Sequence, residues 1–241
     1  MERSLLSQLA IVLVRPKYPG NIGATARIAW NMGIPNLVLV SDNLPERESM
    51  AQMATHKAAH LIDTMNVYPN LAEAVAPYSV IVGTTARRGR QRLMEKSPRE
   101  LVKTIVPRLP NNRVALLFGP EDSGLTNDDL KYCHLLSAIP TADFSSLNLA
   151  QAVAIHCYEL YYGVIHSQKD MLPAPRLASS FELESMYSYL EKSLTRIEFI
   201  GGKSCIYWMN NIRQFFSQIE LSSKDSNIIR RICKKFLLHN K

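Results

Sequence analysis

Residues 114–125 read VALLFGPEDSGL and join an unbroken apolar run to a cluster of glycine, proline and acidic residues. Unbroken apolar runs are typical of strands in a parallel sheet that is covered on both faces. Gly119 and Pro120 end the run and favour a turn. Thr126 and Asp129 follow at the spacing of a helix N-terminal cap. The stretch therefore predicts a buried strand, a turn and the start of a helix.

The same alternation of apolar runs and helix signals recurs through the first two thirds of the chain. Asn70 with Glu73, and Ser97-Pro98 with Glu100, are capping patterns between the runs. Alternating strands and helices predict an α/β fold, with a parallel sheet and helices on both faces. The five predicted strands are Leu9–Val14, 37–40, Val80–Thr84, Val114–Phe118 and 135–140.

The chain divides into three predicted parts. Residues 1–166 form the α/β domain, and its last helix is expected to run from about Leu147 and to stop near Gly163. Residues 167–178 hold Pro173 and Pro175 and are predicted to be a linker. Residues 179–241 contain no convincing strand and predict a helical extension, with helices over 179–190, 204–219 and 225–238.

Composition restricts the class of protein. The 241 residues are 46% hydrophobic, which is typical of a globular protein, and no apolar run approaches the length of a membrane span. We expect a cytoplasmic protein. The four cysteines show no CxxC spacing, so a metal site is not expected. The formal net charge of +7 favours polyanionic partners, although many basic proteins bind no nucleic acid.

Two further junctions between a predicted strand and a predicted helix are rich in glycine and small polar residues. Residues 19–27 read PGNIGATAR, and Arg27 lies in the first turns of a predicted helix, where the helix dipole disfavours a cation. Residues 145–153 read SSLNLAQAV, and Ser146 and Asn148 are either helix caps or groups that orient a sugar hydroxyl. Glu121 of the first junction is likewise either a capping acid or a site residue.

Several catalytic and nucleotide-binding classes lack their motif. The chain has no GxSxG hydrolase elbow and no P-loop, and the GxxG of residues 20–23 is not the GxGxxG of a dinucleotide-binding loop. The segment 82–92 carries Arg87, Arg88, Arg90 and Arg92 and is either a solvated charge run or a phosphate-binding loop. The basic helix predicted over 225–238 leaves the same alternatives open.

Taken together, the order and spacing of the three junctions resemble the SpoU branch of the SPOUT RNA methyltransferases over about 9–163. The segment GTTARRGR, the SSLNLAQAV helix and the helical extension are most similar to the bacterial tRNA 2′-O-methyltransferases of cytidine or uridine 32, in the anticodon loop. The resemblance implies a trefoil knot, a homodimer, a tRNA substrate and S-adenosylmethionine as the methyl donor, without a metal.

The resemblance also assigns site residues. It implies catalytic or catalytic-site roles for Asn21, Arg27, Glu121, Ser146 and Asn148. Cofactor binding falls on the segments around Gly83, Thr84, Gly119, Ile139 and Leu149, and RNA binding falls on Arg87, Arg88 and Arg90. Two other functions stay open at this point: methylation of another tRNA or rRNA nucleotide, and RNA binding without catalysis.

Overall fold

The computed structural model describes residues 2–86, 95–167, 172–202 and 204–239. It divides the chain into two compact units, residues 1–174 and 175–241. The boundary falls within residues 167–178, the stretch predicted as a linker from its two prolines.

The first unit is built on one parallel sheet, which has seven strands within the described residues, in the order β3-β2-β1-β6-β4-β7-β5. All five predicted strands are present, and the predicted fold class is confirmed. Two edge strands of two and three residues carry no apolar run and were not predicted. The strands are β1 Leu9–Val14, β2 Asn36–Val40, β3 Asn66–Tyr68, β4 Val80–Thr84, β5 Glu95–Lys96, β6 Val114–Phe118 and β7 Leu135–Ser137.

Helices connect the strands, and three of them begin at the predicted caps. Ser97 with Glu100 and Thr126 with Asp129 form complete capping boxes, and the side chain of Asn70 accepts from the backbone N–H of Glu73. Such caps satisfy the backbone donors that a helix leaves unpaired at its first turn. The helices are α1 Glu2–Leu6, α2 Pro19–Asn31, α3 Arg47–Asp63, α4 Leu71–Val75, α5 Pro98–Ile105, α6 Asn127–Leu130 and α7 Leu149–Ile165.

Helices cover the sheet on both faces because strand side chains alternate between the faces. Ala115 and Leu117 of β6 belong to a buried cluster with Leu71 and Val75 of α4. On the other face, the ring of Phe118 packs edge-on against His156 of α7, with centroids 5.5 Å apart. Every residue of β1 and β6 is buried, as expected for central strands of a doubly covered sheet.

Two predicted boundaries in the first unit were wrong. Strand β7 ends at Ser137, not at Pro140. Helix α7 begins at Leu149 and runs through Gly163 to Ile165. A side chain at Gly163 would collide with Val102 of α5, so this glycine permits close packing of two helices and does not end one.

The second unit contains three helices, α8 Ser180–Arg196, α9 Ser204–Ser217 and α10 Ser223–His239. A capping box of Ser179 and Glu182 opens α8 at the predicted start of this helix, but α8 runs to Arg196, beyond the predicted end at Leu190. The buried core of the second unit is small and contains Met186, Tyr187, Ile200 and Met209. Across the described part of the chain, no helix combines the length and apolar character that a membrane crossing requires.

Candidate functional site

A cavity of about 530 Å³ lies where strands β4, β6 and β7 end. The strands are parallel and adjacent, so their carboxyl ends meet at one edge of the sheet. At this edge Leu13 of β1 pairs with Phe118 of β6, and Thr84 of β4 pairs with Ser137 of β7. Ligands of open parallel sheets bind in crevices at this edge. The lining residues are Thr84, Thr85, Ala86, Phe118, Gly119, Pro120, Glu121, Asp122, Ser123, Gly124, Leu125, Thr126, Asn127, Leu130, Ile139, Ser145, Ser146, Leu147, Leu149, Ala152 and His156.

A chain of side-chain hydrogen bonds joins all three polar junctions at this cavity. The Nδ2 atom of Asn21 donates to Oε1 of Glu121 over 2.7 Å, and Oδ1 of Asn21 accepts from Nδ2 of Asn148 over 3.1 Å. The Oδ1 atom of Asn148 accepts from the backbone N–H of Ala150 and caps α7. Each amide donates with its nitrogen and accepts with its oxygen, so the orientations of both side chains are defined.

The loop after β1 is also clamped to the loop after β6. The backbone N–H of Lys17 donates to Glu121 over 2.8 Å, and the Lys17 ammonium pairs with Asp122 at 2.5 Å. The hydrogen bond from Lys17 lowers the pKa of the Asp122 carboxyl, and the same bond raises the pKa of Lys17. Both side chains are about half exposed, so this ion pair contributes little to stability.

A second ion pair ties the same two junctions closer to the protein interior. Arg15 lies directly after β1 and donates to Asp129 at 2.5 Å, and the Asp129 side chain is only 7% exposed. Asp129 also accepts from the backbone N–H and the hydroxyl of Thr126. Burial raises the pKa of Asp129, but the bonds from Arg15 and Thr126 outweigh it, so the pKa is lower than that of a free carboxyl.

Several predicted site residues come together at the cavity. Glu121 and Ser146 line it, and Asn21 and Asn148 bond to one another beside it. Ser146 is exposed, and its hydroxyl has no hydrogen-bond partner within the described residues. Of the predicted cofactor residues, four line the cavity, namely Thr84, Gly119, Ile139 and Leu149.

Two predicted residues lie elsewhere. Arg27 is exposed on α2, does not line the cavity, and has no ion pair or hydrogen bond with another described residue. Gly83 is also absent from the lining, and a side chain at this position would collide with Cys133 and crowd Leu130 and Leu136. The predicted RNA-binding residues Arg87, Arg88 and Arg90 lie outside the described residues.

Other residues of this site were not predicted from the sequence. Lys17 and Asp122 clamp two junctions, and the only signal for them was their position beside the motifs. His156 lines the cavity although it is 1% exposed. A single histidine in the apolar helix α7 carries no local signal of such a position. Within the described ranges, no group of three or more His, Cys, Asp or Glu side chains is arranged to hold a metal ion.

The fold and the cavity define an α/β protein with a cavity at the carboxyl edge of a parallel sheet. Residues 8–158 match the SpoU rRNA Methylase family, and residues 181–240 match the C-terminal domain of the tRNA methyltransferase TrmJ. The family match spans more than half of the chain and includes all three junctions. The chain therefore belongs to the SpoU methylase family.

Named relatives cover nearly the whole chain. The tRNA (cytidine/uridine/adenosine-2′-O-)-methyltransferase TrmJ of Pseudomonas aeruginosa is 34% identical, over 95% of this chain and 93% of its own length. The tRNA (cytidine/uridine-2′-O-)-methyltransferase TrmJ of Sodalis glossinidius is 36% identical, over 94% of this chain and 90% of its own. The crystal structure of TrmJ from Z. mobilis ZM4 matches with a TM-score of 0.82 and 31% identity, covering 95% of this chain and 98% of that one.

Proposed function

We propose that this chain methylates the 2′-hydroxyl of a tRNA ribose with S-adenosylmethionine as the methyl donor, and that the target is nucleotide 32 of the anticodon loop. The observation that carries the proposal is the hydrogen-bonded chain from Glu121 through Asn21 to Asn148, which joins all three family motifs beside one cavity. The names of the relatives support a tRNA substrate and ribose chemistry. The choice of nucleotide 32 rests on the resemblance of the motifs alone.

The cavity fits the methyl donor in size and in chemistry. Its volume of about 530 Å³ lies within the range of roughly 300–1,000 Å³ that is usual for small-molecule sites. Leu125, Ile139 and Leu149 provide an apolar lining for an adenine ring, and Glu121 provides negative charge for a cationic ligand. When bound, the donor supplies an electrophilic methyl group; the residues of this chain supply its orientation and the exclusion of water.

The polar residues at the cavity fall into two groups: those that hold the junctions together and those that are available to bind a ligand. The Asn148 oxygen is committed to the cap of α7 and the Asn21 oxygen to Asn148. Both side chains therefore fix the positions of the junctions relative to one another, and each has one remaining amide hydrogen that can bind a ligand. Ser146 has its whole hydroxyl available at the cavity. We assign Ser146 to the ribose, and Asn21, Asn148 and Glu121 to the organisation of the site.

Arg27 is assigned to the charge that develops on the ribose oxygen. A guanidinium remains protonated at neutral pH, so it stabilises an oxyanion and does not accept the proton from the hydroxyl. Its side chain is exposed and has no partner among the described residues, which leaves its five donors for a substrate. A phosphate of the RNA would hold the guanidinium in a bidentate arrangement.

The RNA contacts are assigned to basic residues. Arg87, Arg88 and Arg90 come from the arginine-rich segment, and the net charge of +7 favours a polyanion. We place the protein in the cytoplasm with its substrate. A homodimer is supported by an exposed stripe on α7, where Ile155, Tyr158 and Tyr162 are 37%, 51% and 48% exposed. The trefoil knot implied by the resemblance remains a prediction.

The decisive experiment incubates the purified protein with labelled S-adenosylmethionine and unmodified tRNA and maps the label by mass spectrometry. We expect one 2′-O-methyl group at nucleotide 32. Methyl on a base, or on ribosomal RNA alone, would overturn the proposed substrate. A 2′-O-methyl group at another tRNA position would retain the chemistry and move the target. RNA binding without donor binding in calorimetry would identify a non-catalytic RNA-binding protein.

A further inference from the structure

His156 is a buried titratable residue that the proposed chemistry does not use. It lies on α7, is 1% exposed, and both of its ring nitrogens have partners. Its Nδ1 atom lies 2.8 Å from the carbonyl oxygen of Ala152, and its Nε2 atom lies 3.0 Å from the hydroxyl oxygen of Ser137. These contacts link the helix that carries the third motif to the last residue of strand β7.

The two partners define the state of the ring. A carbonyl oxygen only accepts, so Nδ1 carries the hydrogen. In the neutral imidazole Nε2 is then the acceptor, and the Ser137 hydroxyl donates to it. Burial lowers the pKa of His156, which keeps the ring neutral at physiological pH. The hydrogen bond therefore runs from the strand to the helix.

Ser137 is the point at which three elements meet. Its carbonyl accepts from the backbone N–H of Thr85, which follows β4, over 3.0 Å. The next residue, Ala138, donates its N–H to Lys96 of β5 over 3.1 Å. These backbone bonds hold the end of β7 within the sheet, and the bond to His156 is the side-chain link that ties it to α7. The residues that follow lead directly to Ile139 in the cavity lining.

His156 is itself part of the cavity wall. The lining residues of α7 are Leu149, Ala152 and His156, at the spacing of one helix face. The imidazole also packs edge-on against Phe118, at the end of β6. The ring thus contacts the ends of two strands whose following residues line the cavity. Movement of this ring would displace the walls contributed by β6, β7 and α7 together.

We propose that His156 is a positioning residue for the methyl donor, which acts through Ser137 to hold the end of β7 and Ile139 against α7. The inference rests on the proposed function and names a residue outside the family motifs. His156 forms no hydrogen bond with Asn21, Glu121 or Asn148, so its substitution should affect donor binding and not the chemistry on the ribose. Loss of the hydrogen bond between His156 and Ser137 should weaken donor binding and leave the residues assigned to methyl transfer in place.

The test compares substitutions that break the link with one that retains it. Ser137→Ala removes the hydroxyl, and His156→Asn retains a donor for Ala152 but is too short to reach Ser137. His156→Gln places an amide oxygen near the position of Nε2 and serves as the conservative variant. Cys157→Ala is the matched control, since Cys157 is fully buried on the same helix and does not line the cavity. Calorimetry measures donor affinity, methyl transfer to tRNA measures KM and kcat, and thermal unfolding measures stability.

We expect Ser137→Ala and His156→Asn to raise the Kd and KM for S-adenosylmethionine about tenfold, because Ile139 is no longer held against α7 before the donor binds, while kcat stays within about twofold. His156→Gln should recover most of the affinity, and Cys157→Ala should lower Tm without changing the Kd. Ser137→Ala removes a single oxygen atom, so it tests the link even if His156→Asn does not fold.

Unchanged donor affinity in Ser137→Ala and His156→Asn, with a lowered Tm, would overturn the inference and leave His156 as a packing residue. Equal losses in His156→Gln and His156→Asn would overturn it as well. If the wild-type protein binds no S-adenosylmethionine, the proposed function fails, and the inference fails with it. Donor binding by the wild type with no effect of the variants refutes the inference alone.

Discussion

Asn148 donates its side-chain amide to the side-chain oxygen of Asn21 over 3.1 Å, although 127 residues separate them in the chain. The bond connects the first residue before α7 to the first turn of α2. Asn21 in turn donates to Glu121, so one amide links two distant junctions. This arrangement makes Asn21 the central member of the site, and it leads to the first prediction.

Asn21→Ala should lower the rate of methyl transfer at least tenfold while it destabilises the fold by about 2 kcal/mol, because two hydrogen bonds of about 1 kcal/mol each are lost. Without the Asn21 side chain, Asn148 and Glu121 have no common partner, so the two junctions that carry them are no longer held in position relative to α2. Steady-state kinetics and chemical denaturation measure the two effects. Asn36→Ala is the matched control, because Asn36 donates to Ser7 and Leu9 away from the cavity. A similar loss of activity in both variants would refute the assignment.

Arg27→Ala should reduce methyl transfer by about 10²–10³-fold, the usual effect of removing one group that stabilises an oxyanion. Thermal stability should stay near that of the wild type, because the exposed guanidinium has no partner within the described part of the chain. Lys103→Ala removes a positive charge from the exposed surface of α5 and is the control for net charge. Near wild-type turnover of the Arg27 variant would remove this residue from the mechanism.

Replacing both Arg87 and Arg88 by alanine should weaken RNA binding and flatten its salt dependence. Each lost phosphate contact changes the slope of log affinity against log salt by roughly 0.7–0.9. S-adenosylmethionine affinity should not change, because these arginines are assigned to the RNA phosphates and not to the methyl donor. Filter binding over a series of salt concentrations measures the slope. An unchanged slope would assign the segment to solvated surface charge.

The sequence predicted what local signals determine and missed what depends on strand order. Unbroken apolar runs identified the central strands, and capping pairs such as Ser97 with Glu100 identified helix starts, because both signals lie within a few residues. The motif residues were predicted one by one, but their contacts were not. Asn21 meets Glu121 only because β1 and β6 are neighbours in the sheet, a pairing that no local pattern encodes.

Acid should destabilise the first unit through the carboxyl of Asp129. Its pKa is lower in the folded protein than in the unfolded chain. The ionised Asp129 carboxyl therefore contributes to the free energy of unfolding above about pH 4, the pKa of an unfolded aspartate. This contribution is lost as the pH falls through the pKa of Asp129 in the folded protein. Asp129→Asn should be less stable than the wild type near pH 7, and the difference should shrink toward pH 3. Denaturation curves at several pH values measure this, and a constant difference would contradict it.

Thr55 occupies a backbone conformation that threonine rarely adopts. It lies within α3 with φ 61° and ψ 161°, where the helix is kinked, and this region of φ and ψ is populated almost only by glycine. Such strain costs of order 1–3 kcal/mol, whereas the extra chain entropy of glycine costs roughly 0.5–1 kcal/mol. Strain therefore outweighs entropy, and Thr55→Gly should stabilise the protein by about 1 kcal/mol and raise Tm by roughly 2–4 °C. Thr64→Gly is the control: Thr64 ends the same helix at φ −106°, and its hydroxyl bonds to His60, so this change should lower Tm. A lower Tm in both variants would show that the kink does not strain Thr55.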